Sequence, residues 1–324
     1  MSSADHIQQV MMAVDSSSAA AESWVAASWR RSFLTHGLDP TAPRTQVPVG
    51  EMELRRYRAP LERFLAIATP RLDQLFAVVG SSGCGVLVTN ADGVVLDQRC
   101  SDADARVFRE WRLWAGTNWS EAVEGTNGIG TCLSERRPVI VHRTEHFHAR
   151  NVSMSCIDAP IFDFDGTVLA ALDVSSARVD QTEAMNALIA AAVRQAARQI
   201  EADNFRAAFP DARILFAAND TLDPTMLFAV DGNDVIVGAT RGARKAFGLQ
   251  ATGPIAPRPA ADLFRRGDEA KGGDELRGFE KAARAVIARA LTRSAGNVSE
   301  AARILGIGRA TLYRRMKRFG IDSG

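Results

Sequence analysis

Apolar and polar positions along this chain follow two different periods, and the change from one to the other marks its organisation. Over residues 18–37, Trp24, Val25, Ser28, Trp29, Phe33 and Leu34 recur at helical spacing and stop at Gly37 and Pro40, which predicts a helix. The Pro-punctuated stretch TAPRTQVPVG (41–50) follows as a linker, and helices are predicted over 51–67 and 70–79. From Cys84 the pattern switches to short apolar runs. CGVLVTNADGVVLDQ (84–98) brackets a turn at 90–93, residues 138–141 form a further β-branched run, and IDAPIFDFDGTVLAALDVSS (157–176) repeats the hairpin around 163–166. An Ala-rich helix over 180–207 follows, with Ala184, Leu188, Ala191, Val193 and Ala197 among its apolar positions. Antiparallel hairpins bracketed by helices predict an α+β sensor-like domain, not a parallel sheet wound through crossover helices.

Residues 211–250 hold a weaker block of strand, hairpin (turn at Asp231-Gly232-Asn233) and short helix. Residues 251–276 are rich in Gly, Pro and charge and read as a flexible linker. The tail returns to the helical period. Phe279, Ala282, Ala283, Val286, Ile287, Ala290 and Leu291 form one stripe, and Gly296-Asn297 breaks it and caps the next helix. Ala301, Ala302, Ile304 and Leu305 supply that helix's packing face. Gly306-Ile307-Gly308 turns the chain with Ile307 inward, and a last helix from Arg309 buries Leu312, Met316 and Phe319. The arrangement predicts a helix-turn-helix.

Charge strengthens that reading. The chain has 324 residues and a net charge of +1, but residues 277–318 alone carry +9 and the remainder −8. A basic tail on an acidic body is the electrostatic footprint of a nucleic-acid module joined to something else. With Leu312, Met316 and Phe319 inward, Arg309, Ala310, Thr311, Arg314 and Arg315 occupy the outward face. Arg309, Thr311 and Arg314 are the expected base-edge readers, while Tyr313, Arg315, Lys317 and Arg318 serve mostly the phosphate backbone.

The remaining composition mainly excludes. Hydrophobic content of 46% with 24% charged residues is ordinary for a soluble protein with room for two or three domains. No run reaches the apolar length of a membrane span, and the first residues lack the basic flank and apolar core of an export signal, so a cytoplasmic location is expected. Cys84, Cys100, Cys132 and Cys156 form no C-x-x-C pair and are expected as buried small apolar groups. His142, His146 and His148, with Cys156 near, fit no zinc spacing. No metal or cofactor is therefore expected, and a haem, metal or redox sensor stands only as an alternative. Neither G-x-S-x-G nor H-E-x-x-H occurs, so the chain is not expected to be an enzyme.

Trp119-Ser120-Glu121, Glu124-Gly125-Thr126-Asn127-Gly128-Ile129-Gly130-Thr131, Pro138-Val139, Glu145-His146-Phe147, Cys156, Ala159-Pro160-Ile161 and Asp173 together resemble the GAF sensor domain of bacterial transcriptional activators of the acetoin/glycerol-catabolism type. Ser28-Trp29-Arg30-Arg31 and Gly37-Leu38-Asp39-Pro40 resemble that family's leading helix, and 211–250 its PAS-like piece. Gly296 to Ile321 resembles the Fis-type helix-turn-helix. The resemblance implies an N-terminal helix and linker (1–50), a GAF-like sensor (51–207), a PAS-like segment (208–250), a linker (251–276) and the DNA-binding domain (277–324). It also implies dimerisation through residues 276–294. The sensor pocket would lie between sheet and covering helices, lined by Trp111, Trp114, Trp119, Phe147, Met154 and Cys156, with His146 or Asn118 as the polar handle.

One departure bears on mechanism. The family usually carries a ring ATPase between sensor and DNA reader, and this chain has no G-x-x-x-x-G-K-[ST] phosphate loop. The expected function is a ligand-responsive, sequence-specific DNA-binding regulator without ATPase activity. Its expected partners are double-stranded DNA, a small-molecule effector and a second copy of the chain, with RNA polymerase a further candidate. The alternative is an accessory regulator that pairs or competes with an ATPase-bearing relative.

Overall fold

The computed structural model describes residues 2–44, 47–176, 178, 180–216, 225–232, 234–260, 263, 278–294 and 296–321, without the side chains of 278–282, 288, 289 and 292. Two compact units divide the chain: residues 1–229 with 238–255, and residues 230–237 with 256–324.

The first unit is built on an antiparallel sheet of β1 (Cys84–Thr89), β2 (Val95–Arg99), β3 (Val139–His142), β4 (Ser155–Phe162) and β5 (Val168–Ser176), in the order β2-β1-β5-β4-β3. Both predicted hairpins are present. Asn90 Oδ1 accepts the Val94 N–H at 2.9 Å beside Gly93 at φ +81°, and the Asp163 N–H donates to Thr167 O at 2.8 Å beside Gly166 at φ +85°. Those positive φ angles are the reason each turn carries a glycine. The sheet has two buried faces. Val86, Val88, Ile157, Ala159 and Leu172 pack under α5 (Glu62–Val79) and α9 (Glu183–Ala208). The alternate positions Leu87, Cys156 and Ala171 face Trp119, Met154 and α8 (Gly128–Glu135), which follows the short helices α6 (Ala105–Glu110) and α7 (Glu121–Glu124). Each fully buried Leu, Ile or Val contributes roughly 1.5–3 kcal/mol relative to exposure.

Several elements differ from the sequence expectation. The helix predicted over 18–37 breaks at Ser23, which is extended (φ −133°, ψ 122°) and accepts the Ala26 N–H on its hydroxyl at 3.4 Å. The result is α2 (Ala19–Glu22), α3 (Trp24–Arg30) and a π-helical turn over Arg31–Thr35. Ahead of them lies α1 (Ser3–Asp15), which the apolar pattern did not indicate; its start is a capping box between Ser2 and Asp5. Residues 51–67 divide into α4 (Glu51–Arg58), a 3₁₀ turn and the start of α5, which then runs through Pro70 without a break. Proline forfeits only its own N–H bond, and burial of Phe64, Ala68, Leu72, Leu75 and Val79 along one face holds the helix together. On α9, Ala184, Leu188 and Ala191 are exposed, and the buried stripe is Ile189, Val193, Ala196, Ala197 and Ile200. An Ala-rich helix offers several nearly equivalent stripes, and the largest β-branched side chains decide which one faces the sheet.

Beyond α9 come β6 (Arg213–Phe216), β7 (Leu227–Val230), β8 (Val235–Ala239) and α10 (Arg241–Ala246). The predicted turn joining β7 to β8 is closed by Asp231, whose N–H donates to Val235 O and whose carboxylate accepts the Val235 N–H, each at 2.9 Å. Asn233 of that turn, residues 217–220 of the predicted strand, and most of the predicted linker (261–262 and 264–276) lie outside the described residues.

The second unit contains α11 (Gly278–Arg293), α12 (Val298–Ile304) and α13 (Arg309–Arg318) around Ile287, Ala290, Leu291, Ala301, Leu312 and Met316. Val286 and Ile304, expected in this packing face, are 43% and 41% exposed. Each lies one position out of phase with a buried neighbour set, Ile287–Ala290–Leu291 and Val298–Ala301–Ala302. The side chains of Phe279 and Ala282 are outside the described set.

Candidate functional site

The family-like motifs converge on one contact between distant segments. Arg31, on the turn after α3, donates from Nε and Nη2 to Glu121 at 2.7 and 2.8 Å and from Nη2 to Glu135 at 3.2 Å. Ser28 Oγ donates to the same Glu121 carboxylate and lies 2.8 Å from Thr126 Oγ1. Arg44 reaches Glu124 at 3.1 Å and Asn151 at 2.9 Å, and Arg150 reaches Glu124 at 3.0 Å. Both glutamates are buried, and the arginines supply the countercharge that burial demands. Trp29 adds an indole N–H donated to Glu145 O at 2.8 Å.

The glycine run E-G-T-N-G-I-G-T is the start of α8 packed against the sheet. Asn127 caps it, accepting the Gly130 N–H at 2.9 Å while its amide donates to Trp119 O at 3.0 Å and Gly125 O at 2.8 Å. A Cβ at Gly128 would collide with the Asp158 carboxylate and with Cys156, and one at Gly130 with the Glu121 backbone. Close approach, not phosphate binding, explains these glycines.

Of the eight candidate effector residues, Trp119, Met154 and Cys156 share the core that includes Ile129 and Cys132 of α8, whereas Phe147 packs apart from them with Val10, Val14, Val25 and Trp29. Trp119, His146, Phe147, Met154 and Cys156 are all fully buried. His146 Nδ1 is 2.9 Å from Arg143 O and Nε2 is 3.5 Å from Cys156 Sγ. Burial lowers the His146 pKa to about 4, so the ring is neutral at pH 7, donates to Arg143 O and accepts the Cys156 S–H. Burial, helped by Asp173 and Asp158, pushes the Cys156 thiol well above its ordinary range, which disfavours a reactive thiolate. Trp111 is half-buried in an edge contact with Phe108, Trp114 lies 4.3 Å under the Arg109 guanidinium, and Asn118 Oδ1 accepts the Ser120 N–H at 2.7 Å. Among the described residues no three His, Cys, Asp or Glu side chains come together as metal ligands.

Two residues stand out beside this cluster: Asp173, named in the sequence only as part of the family resemblance, and Asp158, which sequence reasoning missed. Asp158 and Asp173 face each other in direct register on β4 and β5, both fully buried. Ser175 Oγ donates to Asp173 at 2.9 Å, and the Asp158 carboxyl, sealed from solvent, has the facing Asp173 carboxyl as its hydrogen-bond partner. Burial raises the Asp173 pKa to about 7, and burial followed by the Asp173 charge drives that of Asp158 well above the carboxylate range. The pair therefore retains a proton at neutral pH.

A cavity of about 580 Å³ opens beside edge strand β3. Trp24, Pro138, Val139, Ile140 and Ala190 form its apolar wall, with His142, Asn186 and Thr144 among its polar positions. Arg137, Arg194, Glu145 and Glu183 line its more exposed parts, and Asp158 is its one fully buried ionisable group. None of the eight candidate effector residues lines it.

In the second unit, Asn297 caps α12 by accepting the Ser299 and Glu300 N–H groups at 3.1 and 3.2 Å, and Gly306 (φ +64°) turns the chain toward α13. Leu312, Met316 and Phe319 are buried, as the spacing predicts. Arg309, Ala310, Tyr313, Arg314, Arg315, Lys317 and Arg318 are exposed and Thr311 is half-buried. Arg309 stacks over Tyr313 at 5.6 Å, and Arg314 donates to Thr311 Oγ1 at 3.4 Å. Between Glu300 and Asp322 no acidic residue offsets this face.

Comparison with known proteins agrees with both units. Residues 63–200 match the GAF domain, and residues 279–319 match the bacterial regulatory protein, Fis family. The acetoin catabolism regulatory protein of Cupriavidus necator is 32% identical over 241 residues, covering 73% of this chain and 36% of that protein. The acetoin dehydrogenase operon transcriptional activator AcoR of Bacillus subtilis is 29% identical over 154 residues, covering 47% of this chain and 25% of its own length. The chain thus spans about a third or less of the length of these relatives. Among solved structures, the E. coli DhaR(N)–DhaL complex contains a chain with a TM-score of 0.51 at 14% identity, covering 74% of this chain and 80% of that one, a likeness of fold alone. This chain joins a GAF domain to a Fis-family helix-turn-helix, and its relatives are transcriptional regulators of the acetoin-catabolism type.

Proposed function

We propose that the protein is a ligand-responsive regulator that binds an operator as a homodimer and acts without hydrolysing ATP. The observation that carries the proposal is the basic, outward face of α13, with Arg309 and Arg314 exposed near its N-terminal end while Leu312 and Met316 anchor it. Residues 251–276 replace the ring ATPase of longer relatives, and no phosphate loop occurs in the sequence. Regulation then acts through occupancy of DNA, with RNA polymerase as the downstream partner. Among the described residues no helix is long and apolar enough to cross a membrane, which accords with action in the cytoplasm.

The effector is a small molecule bound by the first unit. Trp119, Met154 and Cys156, with Trp111 and Trp114 packed against them, form one candidate wall, while Phe147 packs with Val10, Val14 and Trp29 beside it, and His146 and Asn118 are the candidate polar handles. The β3 cavity adjoins it at Asp158, which shares a strand face with Cys156. Residues 208–250 are read as a PAS-like appendage. An effector favouring one arrangement of the dimer shifts operator affinity by the ratio of its affinities for the two arrangements. A mobility-shift assay on the upstream region of the protein's own gene tests this; unchanged retention by both Arg309→Ala and Arg314→Ala would remove the recognition-helix assignment.

A second reading, in which the protein pairs with or competes against an ATPase-bearing relative, is favoured by the 36% span of the Cupriavidus protein. Purification from the host with no such relative attached would count against it.

A further inference from the structure

β3 is an edge strand, and only one side of its backbone is used. It pairs with β4 from Val139 opposite Asp158 to His142 opposite Ser155. The Arg143 N–H continues that ladder, donating to Met154 O at 2.8 Å, so the alternate positions Ile140 and His142 turn their backbone groups away from β4. The His142 N–H is taken by Glu145 Oε2 at 2.6 Å. Among the described residues the Ile140 N–H and C=O have no such partner. All of residues 137–142 except Val141 line the 580 Å³ cavity, which therefore runs as a groove along this free edge. An edge with an unused donor and acceptor is a template for another strand.

The groove is polarised along its length. α9 forms its second wall, tied to the end of β3 by Asn186 Nδ2, which donates to His142 Nδ1 at 3.1 Å. Glu183, at the start of α9, shares that end with Glu145. Burial raises the Glu145 pKa, the His142 N–H opposes the rise, and the Glu183 charge adds to it. Arg194, eleven residues further along α9, lies toward the start of β3 with Arg137. Arg137 is already bonded to Glu135 at 3.1 Å and stacked 5.2 Å over Trp24. Glu145, Glu183 and Arg194, by contrast, pair with no opposite charge among the described residues. Between the two ends lie Ile140, Ala190 and Trp24. Eleven helical residues span about 16 Å, the reach of about five extended residues and more than a small effector covers. We propose that this groove takes an extended segment of a partner protein, added antiparallel to β3, whose α9-facing side chains read basic, apolar, acidic. Its basic residue meets Glu145 and Glu183, its apolar residue covers Ile140 and Ala190, and its acidic residue meets Arg194. Main-chain bonds to Ile140 supply affinity and the charged ends set direction. The assignment does not depend on where a small effector binds.

The test uses the full chain and three end-blocked pentapeptides in calorimetric titration. Lys-Thr-Val-Thr-Glu is expected to bind about tenfold more tightly than Glu-Thr-Val-Thr-Lys, which has the same composition and the opposite polarity. Methylating the backbone nitrogen of the central valine removes its donor to Ile140 O and is expected to weaken the first peptide about tenfold with no change of charge. Glu183 and Arg194 are both exposed, so Glu183→Lys combined with Arg194→Glu spares the core and is expected to invert the preference between the two peptides. The proposal is overturned by no binding of any peptide, by equal binding of both polarities, by an N-methylated peptide that keeps full affinity, or by an unchanged preference in the double variant. A fall in sedimentation mass on adding the first peptide would also overturn it, because the occupant of the groove would then be a second copy of this chain.

Discussion

Arg31 closes on Glu121 across ninety residues of sequence, with two N–H groups 2.7 and 2.8 Å from a carboxylate whose side chain is 1% exposed. Arg31→Ala leaves that carboxylate buried with Ser28 as its nearest donor. The expected loss is about 2–3 kcal/mol, below the full cost of breaking a wholly buried pair because Arg31 keeps partial contact with water. Urea unfolding measures it, and an unchanged midpoint would show that the contact adds nothing to stability.

Asp173 sets a pH dependence of definite sign. Its pKa is raised to about 7 in the folded protein from an ordinary 3.8, so the stability linked to its protonation is complete at low pH and is lost as pH rises through that interval. His146 and His148, lowered by burial to about 4, act oppositely and cost stability as pH falls from 6.5. Asp173→Asn removes the first contribution, together with the charge that helps raise Asp158, and leaves both histidines in place. Its stability relative to wild type should therefore rise with pH between 4 and 7, by up to about 1.4 kcal/mol per pH unit, the value of one proton. A constant difference across that range would refute the assignment.

The bare backbone at Gly128 makes room for the Asp158 carboxylate, so the two positions are coupled. Gly128→Ala should cost about 1–3 kcal/mol through overpacking. Combined with Asp158→Ala it should cost less than the two single changes added together. Strict additivity in thermal or urea unfolding would show that the clash is relieved elsewhere.

On α13, two exposed cations are expected to behave differently. Arg314→Ala should cost about 1–3 kcal/mol in operator binding and relax sequence preference at one base pair. Lys317→Ala should weaken all duplexes alike and reduce the salt dependence of binding by about one counterion. Titrations of operator and scrambled duplex at several salt concentrations distinguish them, and equal specificity loss in both variants would erase the division of labour.

The core of the helix-turn-helix was legible because Leu312, Met316 and Phe319 are large, correctly spaced and flanked by turn glycines. The two main hairpins were legible for a similar reason, since Gly93 and Gly166 sit where the backbone must take positive φ. The stripe of α9 was not, because alanines carry little information about direction and Leu188 outbid Ile189 only on paper. Asp158 was hidden more deeply. In IDAPIF it reads as the polar half of an alternating strand, and its partner Asp173 matters only because β4 and β5 pair in that register. The β3 cavity depends on Trp24, a helix far upstream, and no local pattern announces it.

The clamp around Glu121 and Glu124 also separates two meanings of a domain edge. The segment recognisable as GAF starts at residue 63, but the arginines that neutralise its buried acids, Arg31 and Arg44, come before that point, as does Trp24 of the cavity wall. A fragment trimmed to the recognisable boundary would keep the sheet but lose Arg31 and Arg44, leaving Glu124 with Arg150 alone and Glu121 without its arginine. In this protein the GAF domain inherits residues from the first forty-odd positions as working parts, and the smallest piece that keeps its buried acids paired begins before the domain does.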